Sequence, residues 1–554
     1  MKSWTISPRS AELLERLPVY KPSKTRGILR LVRLAAFTDT RHAVLRQLVQ
    51  AGEPGIVRAL IYRMRPDDRA FNLATAEAVC ELMALIPLDE LAAFSRWVRS
   101  GFIHYLWPSW RLDEALLHEL ESLDAPHITL FWGLLSMHPS GYNREAVLGP
   151  LAKSRTGQEL PFIMLRALDW VPEVRAPALE ALRARITGAC APHFANALTG
   201  VVRLASAHER YSDVHAIVDS IHRLLTSPDH AFCLLDAMES DSRITRREAF
   251  RLAMQSTKEV AEEGIVRASA SSDLALRLRA AEHAATVYSS EPLQAFCKKA
   301  LRDPHYAVRR AALRTIAEHC PAIADEILHA ALLDPHASLR AVARFHLLAS
   351  DAITHEEIRA LYRRALESAA PSQRALGLQG LSDVGTPDDV TRIAHYVSSE
   401  HSKTRRLAIQ GLTRHEAVLD YHETLVAMLS DPVASVAAAA RDALATHPKL
   451  LDGPALWEFY EQAPLEHTRR FAMHLLRRLP IWTRITYLLR IVQVAPDDAL
   501  PSLQSWCRQA NHIYTTMTDD AYEDAASALN QVRGSLPYTM DDTIAGLLEA
   551  KRSG

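Results

Sequence analysis

Residues able to do chemistry are plentiful in this 554-residue chain, but few stand at the spacings that chemistry needs. Its 25 histidines raise the question of metal binding, and His305 and His336 fall at equivalent places in two similar segments. Neighbouring helices lie about 8–10 Å apart, too far for two such imidazoles to share a zinc ion whose nitrogen ligands sit about 2 Å away. No HExxH occurs, nor a spaced histidine pair with an acidic third ligand, and no metal or other cofactor is expected. The GxxxxGK[ST], GxGxxG and GxSxG signatures are absent. The acid pairs Asp388-Asp389 and Asp497-Asp498 each follow a proline and read as helix N-termini, where carboxylates oppose the helix dipole favourably. Catalysis is unsupported, and binding is the expectation.

Two clusters are candidates for binding. Arg469, Arg470, Arg477, Arg478, Arg484 and Arg490 are opposed between residues 466 and 490 only by Glu466, with Trp482 and Tyr487 interleaved. Arginines beside stacking aromatics can hold single-stranded nucleic acid or an acidic peptide; a solvated helix face would present the same residues. The second cluster spans residues 97–110, with Trp97, Phe102, His104, Tyr105, Trp107 and Trp110, followed by Arg111. Trp97, Trp107, Trp110 and Arg111 could line a peptide groove, since aromatics dominate interface hot spots. Rings filling irregular helix junctions are the preferred reading.

The elements that must position these residues follow from composition and repetition. Lys+Arg (64) and Asp+Glu (65) nearly cancel, so no global field drives the chain onto nucleic acid or anionic membrane. The six cysteines (Cys80, Cys190, Cys233, Cys297, Cys320, Cys507) form no CxxC pair and read as reduced and buried. The first eighteen residues carry Arg9, Glu12, Glu15 and Arg16 without a secretory apolar stretch. Apolar runs such as 128–137 and 160–165 fall far short of the roughly 20 residues that span a bilayer. A cytoplasmic protein without membrane insertion is expected.

Asp303-Pro304-His305-Tyr306-Ala307-Val308-Arg309-Arg310-Ala311-Ala312 and Asp334-Pro335-His336-Ala337-Ser338-Leu339-Arg340-Ala341-Val342-Ala343 are copies of one motif, and Asp431-Pro432-Val433-Ala434-Ser435-Val436 opens a third. Downstream residues align into columns: Arg309, Arg340, Arg374, Arg405, Ala437, Arg469; three residues later Ala312, Ala343, Gly377, Ala408, Ala440, Ala472; four further on Ile316, Leu347, Leu381, Leu412, Leu444, Leu476. Offsets of three and seven share one helical face. The small column marks close helix approach, the aliphatic column the core, and Asp-Pro a helix start with Asp as N-cap and Pro at the first position. A second amphipathic stretch, such as 322–332, gives two helices per unit. Weaker copies stand at Arg175, Arg246 and Arg277; before about residue 160 no register is visible.

The pattern D-P-x-x-x-V-R-x-x-A-x-x-x-L resembles the short HEAT-like repeat of bacterial proteins, including the bilin-lyase type. The resemblance implies an all-α, right-handed solenoid of stacked antiparallel helix pairs, in which the repeated arginine pairs with an aspartate of an adjacent turn. Asp303, Asp334, Glu400 and Glu466, a few residues before their arginines, are the carboxylates at hand. The expected organisation is an N-terminal arm (1–24), degenerate helical repeats (25–160), HEAT-like repeats (161–495) and an acidic helical cap (496–554). In such a superhelix one helix of each pair lines a concave face, and its outward positions include Arg310, Arg314, Arg344, Gln379, Arg406, Gln410, Arg441, Arg470 and His474. The function expected is a non-catalytic scaffold or regulator that recognises a protein partner there. Nucleic-acid binding through residues 469–490, with Arg477, Arg478, Arg484 and Trp482, is the alternative; a HEAT-like enzyme is a third.

Overall fold

The computed structural model describes residues 4–17, 30–64, 69–100, 124–207 and 212–552. Regular structure among them is helical, apart from a single bridge between Met517 and Arg552. The chain divides into two compact units, Met1–Thr315 and Ile316–Gly554.

In the second unit the arginine-bearing helices are Ala337–Ala349, Pro371–Val384, Ser402–Arg414, Ala434–Leu444 and Glu466–Leu476, and each packs on the next. Between them run His355–Leu366, Pro387–His395, His422–Ala427 and Gly453–Gln462. The small and aliphatic columns are buried as their spacing requires, from Ala343 and Leu347 to Ala472 and Leu476. Gly377 shows why one member of the small column has no side chain at all. A Cβ there would lie 2.4 Å from the Leu366 amide nitrogen and 2.7 Å from the Tyr362 carbonyl oxygen, so backbone meets backbone at this crossing. Tyr362 is buried in the same seam and donates its hydroxyl to the Leu332 carbonyl at 2.9 Å; Tyr396 does the same to Leu366 at 3.1 Å. The unit closes with Pro496–Asn511, Asp519–Val532 and Tyr538–Lys551, gathered about Ile481–Val494 and the buried Trp506.

Asp-Pro does not start the helices in the way expected. They begin two or three residues later, at Tyr306, Ala337 and Ala434, and the prolines lie in the turn. Each aspartate closes that turn instead: its Oδ1 accepts from the amide two residues on, at 2.8 Å for Asp303, 2.7 Å for Asp334 and 2.8 Å for Asp431. Capping falls to the histidines, with His305 Nδ1 accepting from the Ala307 amide at 3.2 Å and His336 Nδ1 from Ser338 at 3.3 Å. The pair Asp388-Asp389 does lie in the first turn of Pro387–His395, where Asp389 and Thr386 form a capping box.

In the first unit the register begins earlier than the sequence reveals. Arg144, Val147 and Leu151 repeat the three-and-seven spacing, Val147 and Leu151 are buried, and His138-Pro139 takes the place of Asp-Pro. None of the six cysteines is in a disulfide; Cys80, Cys297 and Cys320 are buried. Among the described residues no helix is long and apolar enough to cross a membrane.

Candidate partner-binding surface

The repeated arginines are fastened by a recurrent geometry. Arg405 donates through Nε and Nη2 to Asp431 at 2.7 and 2.9 Å, and through Nη1 to the Ser399 carbonyl at 2.8 Å. That carbonyl is six residues before the arginine, and Asp431 is six before Ala437, the equivalent position of the next repeat. Arg277 repeats it with Asp303 (2.8 Å) and Ser271 (3.0 Å), and Arg144 with Asp169 (2.9 and 2.8 Å) and His138 (3.0 Å). The ladder links repeats, but the carboxylate comes from the repeat that follows, not from the residues just before each arginine. The Asp303 side chain serves Arg277, while Asp334 and Glu400 give Arg340 and Arg405 their backbone carbonyls, at 2.9 and 3.0 Å. Arg469 Nε bonds the Ala463 carbonyl at 2.9 Å. Paired hydrogen bonds to Asp431 raise the Arg405 pKa above its usual value, against the effect of burial.

Rung acids are missing at Ser368 and Ser399, and the first omission builds a different site. Six residues before Arg374 stands Ser368 rather than an acid. Arg340 turns instead to Asp383 on the next ladder helix, through Nε (2.9 Å) and Nη2 (2.7 Å). Arg344 reaches the same carboxylate at 3.2 Å and Arg414 bonds its other oxygen. The Asp383 side chain is only 6% exposed and Arg340 2%, whereas Arg414 is 56% exposed. Arg340 and Arg414 line a cavity of about 590 Å³ together with Gln379, Ser382, Gln410, Thr413, Asp442 and Thr446.

The register sorts the expected outward residues. Five positions after the ladder arginine stand Arg314, Phe345, Gln379, Gln410, Asp442 and His474; Arg314 and Gln410 are exposed, Phe345 is 68% exposed, and Gln379 and His474 are half-buried. One position after it Arg310 and Arg470 are exposed and Arg406 is half-buried. Arg344 and Arg441 stand four after it, in the column where Leu313, Leu378 and Ile409 are buried core. They are therefore not open surface: Arg344 is held by Asp383 and the Tyr362 hydroxyl, and Arg441 bonds Asp442 and lies 4.6 Å over the Phe471 ring. Burial, reinforced by the charges of Arg441, Arg478 and Arg477 and opposed by Asp442, holds His474 below the usual histidine range.

The basic patch disperses. Arg469, Arg470 and Arg478 are exposed and Arg477 is half-buried. Arg484 donates to the Arg477 carbonyl (3.3 Å) and Gln509 (2.9 Å), Trp482 donates to Thr515 and packs edge-on to Trp506, and Arg490 covers the Trp457 and Tyr487 rings. Of the aromatic cluster, Trp107, Trp110 and Arg111 lie outside the described residues. Trp97 is packed between Trp4, 6.3 Å away, Phe94 at 5.4 Å and the Arg58 guanidinium at 4.6 Å.

No family model matches the chain, and no curated protein matches it in sequence. Among solved structures it is similar to Kap121p, at 11% identity and a TM-score of 0.32 over 98% of this chain and 65% of that one. It is also similar to Kap121p bound to Ste12p, at 12% identity and a TM-score of 0.35 over 99% of this chain and 65% of that one, and to importin beta in an ammonium sulfate condition, at 13% identity and a TM-score of 0.34 over 99% and 83%. The chain thus spans somewhat less than two thirds of the Kap121p length. The fold is carried by the chain's own repeat, and by helix pairs in register, a buried small-residue column and arginines bonded forward to the next repeat, it is an all-α HEAT-type solenoid.

Proposed function

We propose that the protein is a non-catalytic scaffold or adaptor that recognises a protein partner along the outward positions of its arginine-bearing helices. The observation that supports this most is how the ionisable groups are divided. Those at repeated inward positions are engaged by one another, in the ladder and in the turns. The outward column of the second unit instead carries Phe345, Gln379, Gln410, Asp442 and His474, a mixed and mildly polar surface repeated helix after helix. A large exposed ring such as Phe345 among polar neighbours is the kind of residue that anchors protein interfaces.

The test is affinity capture of the tagged protein from its own cell lysate, with and without nuclease, followed by mass spectrometry and an absorbance ratio for nucleic acid. One protein recovered in near-equal amount after nuclease and moderate salt is the expected result. Recovery dominated by nucleic acid, with affinity falling steeply as salt rises, would replace this reading with one centred on Arg469, Arg470 and Arg478.

A further inference from the structure

The cavity beside Asp383 has the features of a receptor for a particular chemistry. Four guanidiniums stand in or beside it (Arg340, Arg344, Arg414 and Arg441) against two carboxylates, Asp383 and Asp442. Arg441 and Asp442 neutralise each other at 2.6 Å. The surplus of positive charge therefore belongs to the three arginines that share Asp383. Only Nη1 of Arg414 is engaged, and its remaining N–H groups have no partner among the described residues. Gln379 Oε1 is buried without a hydrogen-bond partner among them, in the wall of the same cavity. A buried acceptor left unpaired carries a desolvation cost that a donor from a ligand removes.

The shape selects among anions. The cavity runs across the helices Ala337–Ala349, Pro371–Val384, Ser402–Arg414 and Ala434–Leu444. Gln379 and Gln410 stand at the same register position, as do Ser382 and Thr413. Successive helices about 10 Å apart are matched by about three residues of extended chain, so an extended backbone meets an amide side chain, able both to donate and to accept, at each repeat. A compact phosphate or small dicarboxylate would use one end of this trough and leave the rest empty.

We infer that this trough seats an extended acidic segment of a protein partner, with an aspartate or glutamate carboxylate received by Arg414 beside Arg340 and the backbone held by Gln379 and Gln410. The inference rests on the scaffold reading and names the chemistry of its partner. Charge-assisted bonds to a guanidinium are among the stronger polar contacts, and Arg414 is exposed enough to meet the carboxylate without unfolding the Asp383 cluster.

The experiment is selection of a displayed library of random ten-residue peptides on the full chain, followed by fluorescence anisotropy with the labelled winners. Selected peptides carry Asp or Glu at one fixed position; replacing it by Asn or Gln weakens binding roughly tenfold or more, and so does Arg414→Gln, while a change at the exposed Arg223, outside the arginine-bearing helices of the second unit, Arg223→Gln, alters little. Gln410→Ala is the second variant, and circular dichroism melts identify any variant that has lost its fold. Peptides without an acid, binding indifferent to both Arg414→Gln and Gln410→Ala, or equal competition by inorganic phosphate overturns the inference. A captured partner that still binds the Arg414→Gln protein sinks the trough but leaves the scaffold standing; a parent chain that captures no protein partner at all sinks the scaffold itself.

Discussion

Arg144 grips Asp169 with two hydrogen bonds, 2.9 and 2.8 Å long, and each side chain is only 1% exposed. Asp169 also takes Arg166 at 3.0 Å, so one carboxylate compensates two buried guanidiniums. Burial, together with the charges of Arg99 and Arg144 and against that of Asp169, pushes the Arg166 pKa down to about 9. Asp169→Ala leaves both arginines without their counter-charge and is expected to cost about 3–5 kcal/mol. Urea titration followed by circular dichroism checks it, and a loss below ~1 kcal/mol would show the cluster to be solvated.

Gly377 and Gly546 should respond oppositely to the same change. Gly377→Ala drives a methyl into the backbone of His355–Leu366 and is expected to destabilise by about 1–3 kcal/mol. Gly546 lies in the Tyr538–Lys551 helix with nothing within 4 Å of its added Cβ, and Gly546→Ala is expected to stabilise by roughly 0.5–1 kcal/mol. Paired thermal melts decide both.

Acid should weaken the Pro387–His395 helix at a definable point. Burial alone would raise the Asp389 carboxyl, but hydrogen bonds from Arg363 (2.6 and 2.9 Å) and from the Thr386 amide and hydroxyl (each 3.0 Å) hold it down at about 2. A depressed carboxyl stabilises the fold at pH above its unfolded value, near 4, and that stability is lost as pH falls from about 4 towards 2. The stake is on the order of 2 kcal/mol. Asp389→Asn should flatten the pH dependence of the melting temperature in that window, and an unchanged slope would exclude the role.

Trp4 protects Trp97. Their rings are 6.3 Å apart, Phe94 is edge-on to Trp4 at 5.1 Å, and the Trp4 carbonyl oxygen would lie 2.7 Å from a Cβ on Gly55. The Trp4→Ala change is expected to expose the Trp97 ring. The emission difference between W4A and W4A/W97F, which isolates Trp97, should then move to the red of the difference between the parent and W97F. No movement would mean that other residues cover the ring.

The columns of alanine and leucine were readable from the sequence because they depend on a single helix and its period. What depends on a neighbour was harder to read. His138-Pro139 conceals a repeat, since His replaces Asp and Val147 replaces Ala, although Arg144 keeps its place. Arg344 and Arg441 look like surface residues because they are charged, yet their column is core where Leu313, Leu378 and Ile409 fill it. The Asp383 cluster has no signature of its own. It arises because Ser368 stands where a rung's acid would be, and an omission 28 residues after Arg340 is not a motif. Arg484 and Arg490 belong to helix packing for a similar reason: their partners, Gln509 and Trp457, are distant in sequence.

Each complete rung clamps one repeat to the next, and with serine at 368 and 399 the joints on either side of Pro371–Val384 lack that clamp's acid. The first is tied instead by Arg340 and Arg344 to Asp383, and the second by the Asp383–Arg414 pair and by His415 with the Leu381 carbonyl at 2.9 Å. One carboxylate, Asp383, thus joins three successive arginine-bearing helices through Arg340, Arg344 and Arg414. Whatever loads Arg414 therefore draws on the carboxylate that holds those helices together.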